Sequence, residues 1–345
     1  MSRRPLAVVI LAAGKGTRMK SKLHKVLHPV GGRPMLRGLV DELHTLDLQR
    51  TVIVVGAGAE SVQTEMAAND IAFAHQTEQR GTAHAARMAA DELSGFDGDV
   101  LVCFGDVPLL KARTVAKMQD RLMEATRPAC VVLGFRPRDP KAYGRILADT
   151  DGRIEKMVEY KDASDTERAV DLCNAGPLMA RGDRLFDLLS RIDNNNAQGE
   201  YYLPDVVTVA ANDGDSSAVV EADEREVTGV NDRVDLAQAE SLWQAEAREA
   251  AMRNGVTLRD PASIFFSFDT DIAPDVIIEP NVVFGPGVKV ASGARIKAHS
   301  HLEGCDVGPD CEVGPYARLR PGAVMRAGAK VGNFVEMKKA TLGEG

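Results

Sequence analysis

A six-residue beat near the C-terminal end constrains this chain more than any other feature. Ile272, Ile278, Phe284, Val290, Ile296 and Leu302 follow one another at that interval. One position is then lost, and Val307, Val313, Leu319, Met325, Val331 and Met337 resume the series. Gly, Pro and small residues fill the slots between. An amphipathic strand would repeat every second residue and an α-helix every 3.6. A period of six is the signature of a parallel β-helix.

Upstream the pattern changes. Leu6–Ala13, Thr51–Gly56, Val100–Phe104 and Ala129–Phe135 read as buried strands, with amphipathic segments such as Met35–Leu46 and Thr82–Leu93 between them. This alternation predicts βαβ units and a mostly parallel sheet, with ligands beyond the carboxyl ends of the strands. Val234–Asn254 is rich in Ala, Glu, Gln and Leu and has no Pro or Gly. It predicts one helix of about six turns, stopped by Gly255 and joining two domains. A length of 345 residues with 44% apolar residues suffices for two cores.

Charge and cysteine content exclude several classes. A net charge of −8 argues against a nucleic-acid-binding face, although a few placed cations and a metal can still hold a phosphorylated substrate. The five cysteines are odd in number and form no CxxC pair, so neither a disulfide framework nor a zinc site is expected. Arg3 and Arg4 precede a short apolar run as in a signal peptide, but the run leads into Gly14-Lys15-Gly16-Thr17-Arg18 and not into a cleavage region. No apolar stretch is long enough to span a bilayer. The expectation is a cytoplasmic protein with no nucleic-acid or membrane partner. The seven histidines show no ligand spacing and read as surface or helix-end residues.

Three motifs carry chemistry. Leu11-Ala12-Ala13-Gly14-Lys15-Gly16-Thr17-Arg18-Met19 follows the first strand. A glycine-rich turn there lets backbone N–H groups approach phosphate oxygens, and Arg18 and Lys25 add charge. The motif is neither a Walker A loop nor the dinucleotide fingerprint, and alone it also fits a plain tight turn. In the second motif, Gln76 precedes Gly81-Thr82; Thr82 fits a helix cap. The third, Phe104-Gly105-Asp106-Val107-Pro108, puts a carboxylate at a strand end. That place suits Mg²⁺ bridging phosphates, and equally an Asp opening a turn before a proline.

LAAGKGTRM followed by Lys25-Val26-Leu27 resembles the signature of sugar-nucleotide pyrophosphorylases. With the hexapeptide repeats, essentially the whole chain resembles the bifunctional bacterial N-acetylglucosamine-1-phosphate uridyltransferase and glucosamine-1-phosphate acetyltransferase family. The resemblance implies an α/β fold: a Rossmann-like nucleotidyltransferase domain over residues 1–233, a linker helix over 234–254, and a partial left-handed parallel β-helix over 255–345. The left hand comes from the resemblance, since the general crossover rule would give the right. The implied reaction is Mg²⁺-dependent uridylyl transfer from UTP to N-acetylglucosamine-1-phosphate, supplying cell-wall and lipopolysaccharide precursors.

The resemblance also implies residue roles. Arg18, Lys25 and Asp106 are the catalytic group, and Asp106 and Asn231 the Mg²⁺ ligands. Leu11, Ala12, Ala13, Gly14, Phe104 and Gly105 bind substrate, with Gln76, Gly81 and Thr82 reading the uracil. Gly144, Glu159 and Asn174 contact the N-acetylglucosamine. Three positions depart from the family: Phe104 replaces Tyr, Ala175 replaces Thr, and His24 replaces Pro. Arg320 and Lys338 match sugar-phosphate cations of the acetyltransferase, whose full-length members use acetyl-CoA. The family's catalytic histidine lies beyond Gly345, so acetyl transfer is expected to be lost. Trimers through the β-helix are expected. Two rival readings are a sibling using another sugar or nucleotide, such as glucose-1-phosphate with dTTP, and a non-catalytic scaffold. The intact Arg18, Lys25, Asp106 and Asn231 speak against the scaffold.

Overall fold

Strand β1 (Leu6–Ala12) is buried along its whole length. Its alternate side chains serve two cores: Ala7, Val9 and Leu11 face one, and Leu6, Val8, Ile10 and Ala12 the other. A strand covered on both faces reads as a continuous apolar run, which is why it was legible. The structure, a computed structural model, describes residues 3–68, 70–140 and 142–345.

Contacts divide the chain into two compact units: residues up to 28 with 34–236, and residues 29–33 with 237–345. The first is built on a nine-stranded sheet. After β1 come β2 (Leu48–Val55), β3 (Ile71–His75), β4 (Asp99–Phe104) and β5 (Cys130–Phe135). They are followed by β6 (Arg145–Ala148), β7 (Arg153–Val158), β8 (Cys173–Arg181) and β9 (Ser217–Glu221). The order is β3-β2-β1-β4-β8-β5-β9-β7-β6.

The half containing β3, β2, β1 and β4 is parallel, as expected. The other half is mixed: β8 runs antiparallel to β4 and β5, and β6 and β7 form a hairpin. The hairpin needs only a short turn, in which Asp149 Oδ1 accepts from the Asp151 and Arg153 amides. β7 has one buried residue, Ile154, among exposed Arg153, Glu155 and Lys156, so it gave no apolar run. Two helices are shorter than expected. Met35–Leu43 (α1) ends three residues early, and the Thr82–Arg87 helix gives way to turns before Leu93.

In the second unit the linker helix spans Arg233–Arg253, its first residues counting with the first unit. Gln244 docks it by two bonds to the Phe266 backbone, donating to the carbonyl at 2.7 Å and accepting from the amide at 2.9 Å. Beyond it, short strands stack in three parallel sheets, a parallel β-helix consistent with the left-handed class. The six-spaced series forms its inner wall. A second inward series sits two residues earlier: Val276, Val282, Val288, Ala294, Ser300, Cys305 and Cys311 are all buried. The lost position lies between Leu302 and Val307, where Gly304 turns the corner at φ 52°. Strands pair eighteen residues apart before the slip (Ile277↔Arg295) and seventeen across it (Arg295↔Glu312).

Residues 29–33 precede the helix by some two hundred positions yet pack in this unit. The Gly31 amide donates to Glu240 Oε2 at 2.7 Å, its carbonyl accepts from the Phe268 amide at 2.8 Å, and the Arg33 guanidinium lies 5.0 Å over the Phe268 ring.

Candidate active site

The strand ends of the parallel half create a cleft of about 230 Å³. Leu11, Ala12, Ala13 and Gly14 line one side, where β1 opens into the glycine loop. Gly14 has open space around its Cα, whereas a Cβ on Gly16 would sit 2.6 Å from the Lys25 Cβ. The loop thus runs flush against the segment that carries Lys25. It leads only into a single 3₁₀ turn, Thr17–Met19. A full helix dipole is therefore missing at this loop, and positive charge must come from side chains.

Those side chains meet the expected metal ligands. Lys25, on the 3₁₀ turn Lys25–Leu27, is ion-paired through Nζ with Asp106 Oδ2. Arg18 Nη2 donates to Asn231 Oδ1 at 2.9 Å. The two oxygen-bearing residues are brought together by backbone: the Val230 amide donates to the Asp106 carbonyl at 2.8 Å. Gly105, whose amide donates to the Leu11 carbonyl at 3.0 Å, fixes the turn ahead of Asp106. Asp106 and Asn231 offer hard oxygen donors, which fit Mg²⁺, and two such ligands leave room for phosphate oxygens and water. Among the described residues no cluster of three His, Cys, Asp or Glu could hold a metal unaided.

Gln76, Gly81 and Thr82 form the opposite wall. Gly81 adopts φ 114°, and a Cβ there would lie 2.5 Å from the Tyr201 carbonyl oxygen, so only glycine fits. Thr82 does not cap its helix. Gly81 holds the cap position, and the Thr82 hydroxyl instead accepts from the Leu203 amide at 2.9 Å. The competing donor was unreadable because it lies far away in sequence.

The expected sugar-contacting residues also converge. The Asn174 amide donates to the Gly144 carbonyl at 2.9 Å, and a Cβ on Gly144 would come 3.3 Å from Glu159 Oε1. Asn174 Oδ1 is engaged in its own turn by the Gly176 amide, at 2.9 Å. The ring of Phe104 packs on Gly176, where a Cβ would be 2.8 Å from Cε2. Burial, then the Asp162 charge, raises the Glu159 carboxyl above its ordinary range. His24, in place of the family's proline, packs on Gly58 and is held below the ordinary imidazole value, first by burial and then by Lys25.

Sequence reasoning missed the segment 200–205. Glu200 lines the cleft, and Asp205 is pushed up to about 6, first by burial and then by Asp193, Glu159 and Asp162. The polar run Asn194-Asn195-Asn196-Ala197-Gln198-Gly199-Glu200 was the available signal. A larger cavity, about 290 Å³, opens at the other end of the sheet beside Arg4, Asp99, Arg181 and Arg184. Arg4 pairs with Asp97 and Asp99, Arg181 with Asp183, and Arg184 with Asp187, Asp213 and Asp215, which leaves these cations little attraction for a phosphate. In the second unit, Arg320 and Lys338 sit on neighbouring coils, where the Arg320 amide donates to the Met337 carbonyl at 2.8 Å. Arg320 is paired with Glu336 at 2.7 Å, while Lys338 is exposed.

Comparison with known proteins bears on these observations. The model for the MobA-like NTP transferase domain matches residues 8–171. The bifunctional protein GlmU of Zymomonas mobilis is 49% identical over 346 aligned residues, covering 100% of this chain and 77% of that protein. The GlmU of Sphingopyxis alaskensis is 54% identical, covering 97% and 74% respectively. For the GlmU of Rhizorhabdus wittichii the figures are 53%, 80% and 61%, so this alignment spans less than two thirds of the relative. A solved structure titled as a putative glucose-1-phosphate thymidylyltransferase from Bacillus anthracis superposes with a TM-score of 0.55 at 20% identity, over 69% of this chain and 95% of that one. At that identity it shows the fold alone.

Proposed function

Because the chain belongs to the family of GlmU bifunctional proteins and is a nucleotidyltransferase, we propose that it transfers uridylate from UTP to N-acetylglucosamine-1-phosphate, releasing pyrophosphate. The observation that carries this reading is the pairing of Lys25 with Asp106 in the lining of the cleft, beside the pairing of Arg18 with Asn231. Two cations and two oxygen donors alternate there, which suits a polyphosphate and a divalent ion better than any uncharged substrate.

The attacking phosphate of the sugar is already an anion, so the reaction needs no general base. The chain's task is positioning and charge neutralisation. Gln76 and the Gly81 backbone hold the pyrimidine, Gly144, Glu159 and Asn174 the sugar, and Lys25 and Arg18 the triphosphate and its leaving group. Mg²⁺, held by Asp106 and Asn231, would supply the positive charge that draws the two reacting phosphates together. The product would feed cell-wall and lipopolysaccharide precursors in the cytoplasm, where five unpaired cysteines persist as thiols. Trimers through the repeat coil belong to the same proposal, as does sugar-phosphate binding by Arg320 and Lys338.

The test is pyrophosphate release from UTP in Mg²⁺, with and without N-acetylglucosamine-1-phosphate, for the wild type and Asp106→Ala. Release should require the sugar phosphate and fall about 100-fold or more in the variant, judged from the roughly 10–100-fold cost of losing mere supporting groups around a metal. Release without the sugar, or a variant within a few-fold of wild type, would overturn the reading.

A further inference from the structure

Uracil and cytosine differ on the edge that a side-chain amide reads: N3 carries a hydrogen in uracil and a lone pair in cytosine. A free glutamine cannot tell them apart, because its amide turns over and offers either end. Gln76 is not free. It is 4% exposed, and its Nε2 lies 3.2 Å from the Gly81 carbonyl oxygen. That oxygen can only accept, so the atom facing it is the nitrogen. The same Nε2 lies 2.9 Å from His84 Nδ1. Both amide hydrogens are therefore spent inside the protein. No donor among the described residues bonds Oε1, and it is not sealed from solvent.

The arrangement works only while His84 Nδ1 is an acceptor. The surroundings favour that state. Burial, followed by the charges of Arg80 and Arg87, holds the ring below its ordinary value, against Glu78. The Tyr201 ring lies 6.4 Å away, tilted. A neutral imidazole has one N–H and one lone pair, and here the lone pair is at Nδ1.

We propose that His84 determines pyrimidine specificity. By taking the second hydrogen of Gln76 it locks the amide with Oε1 toward the base, so the cleft accepts an N3–H and repels the lone pair of cytosine. The inference rests on the uridylyl-transfer reading above. His84 is a positioning residue, since it acts through Gln76.

The experiment measures kcat/KM for UTP and for CTP with the full chain at saturating N-acetylglucosamine-1-phosphate, in wild type, His84→Phe and His84→Asn. His84→Phe should lower the UTP/CTP ratio roughly tenfold or more, because the freed amide can turn over. His84→Asn, whose Oδ1 falls near the place of Nδ1, should restore most of it. The KM for the sugar phosphate should stay within a few-fold. An unchanged ratio in His84→Phe, or equal losses in both variants, would overturn the proposal. The wild-type ratio against pH is a second measurement that does not depend on any variant folding. Protonated Nδ1 donates, so the ratio should fall in acid, whereas the phosphate titrations common to both nucleotides cancel; a flat profile through the histidine range counts against the lock. No UTP turnover in the wild type would instead sink the uridylyl reading and this inference with it.

Discussion

Lys25 and Lys20 stand five positions apart, yet their surroundings separate them sharply. Lys25 is 13% exposed at its side chain and paired with Asp106, whereas Lys20 is exposed with φ 49°. Lys25→Ala should therefore slow uridylyl transfer by roughly 10- to 150-fold, the equivalent of about 1.5–3 kcal/mol for a charge-assisted contact. Lys20→Ala should change it little. Equal losses in a steady-state comparison would mean that bulk basicity suffices. Asp205 gives a second prediction at this scale. A carboxyl whose native pKa is raised to about 6 keeps its proton where the unfolded chain has lost it. Native stability therefore falls as pH rises from about 4 to about 6, then levels off. Asp205→Asn should match the wild type near pH 4 and exceed it at pH 7, read as urea midpoints. The same offset at both pH values would refute the assignment. Arg18, Lys25 and Asp106 were legible because they lie in or beside short local motifs. Asp205, and the use of Thr82 to hold Leu203, were not, because both depend on which loop the fold brings alongside.

The coil of residues 271–337 was legible almost strand by strand, since a period of six survives in the sequence whatever surrounds it. Only half of its lining was recognised, however. The series two residues earlier mixes Val, Ala, Ser and Cys, too varied in size and polarity to announce itself. Ser300 is its exception: 1% exposed, with an Oγ that has no hydrogen-bond partner among the described residues. An unsatisfied buried hydroxyl costs about 1–3 kcal/mol. Ser300→Ala should accordingly stabilise the coil by about 1 kcal/mol, visible as a rise of a few degrees in Tm. A loss of stability would show that the hydroxyl has a partner after all. The sheet of the first unit was less legible. Its apolar strands β1, β2, β4 and β5 stood out, but β6 and β7, with their charged residues, carried no signal that alternation of βαβ units could supply.

At the scale of the molecule, sequence order and structural membership part company at residues 29–33, which count with the second unit. Gly31 has φ 60°, and a Cβ on it would lie 2.6 Å from the ring of Trp243, the chain's single tryptophan. Gly31→Ala should destabilise this unit by about 2–4 kcal/mol, combining overpacking with the cost of a left-handed alanine. The tryptophan emission should report the earlier unfolding in denaturant; an unchanged transition would refute the close packing. The same segment sets a schedule for synthesis. Residues 29–33 leave the ribosome about 210 residues ahead of Trp243, a delay on the order of 10–40 s at roughly 5–20 residues per second. Throughout that interval the growing chain must carry them without their final partners, while β2 to β9 are still being made. The nascent protein therefore completes its N-terminal stretch only after translation has passed the linker helix. A chaperone or a slow codon cluster between those points would change the yield of correctly assembled molecules without altering a single residue.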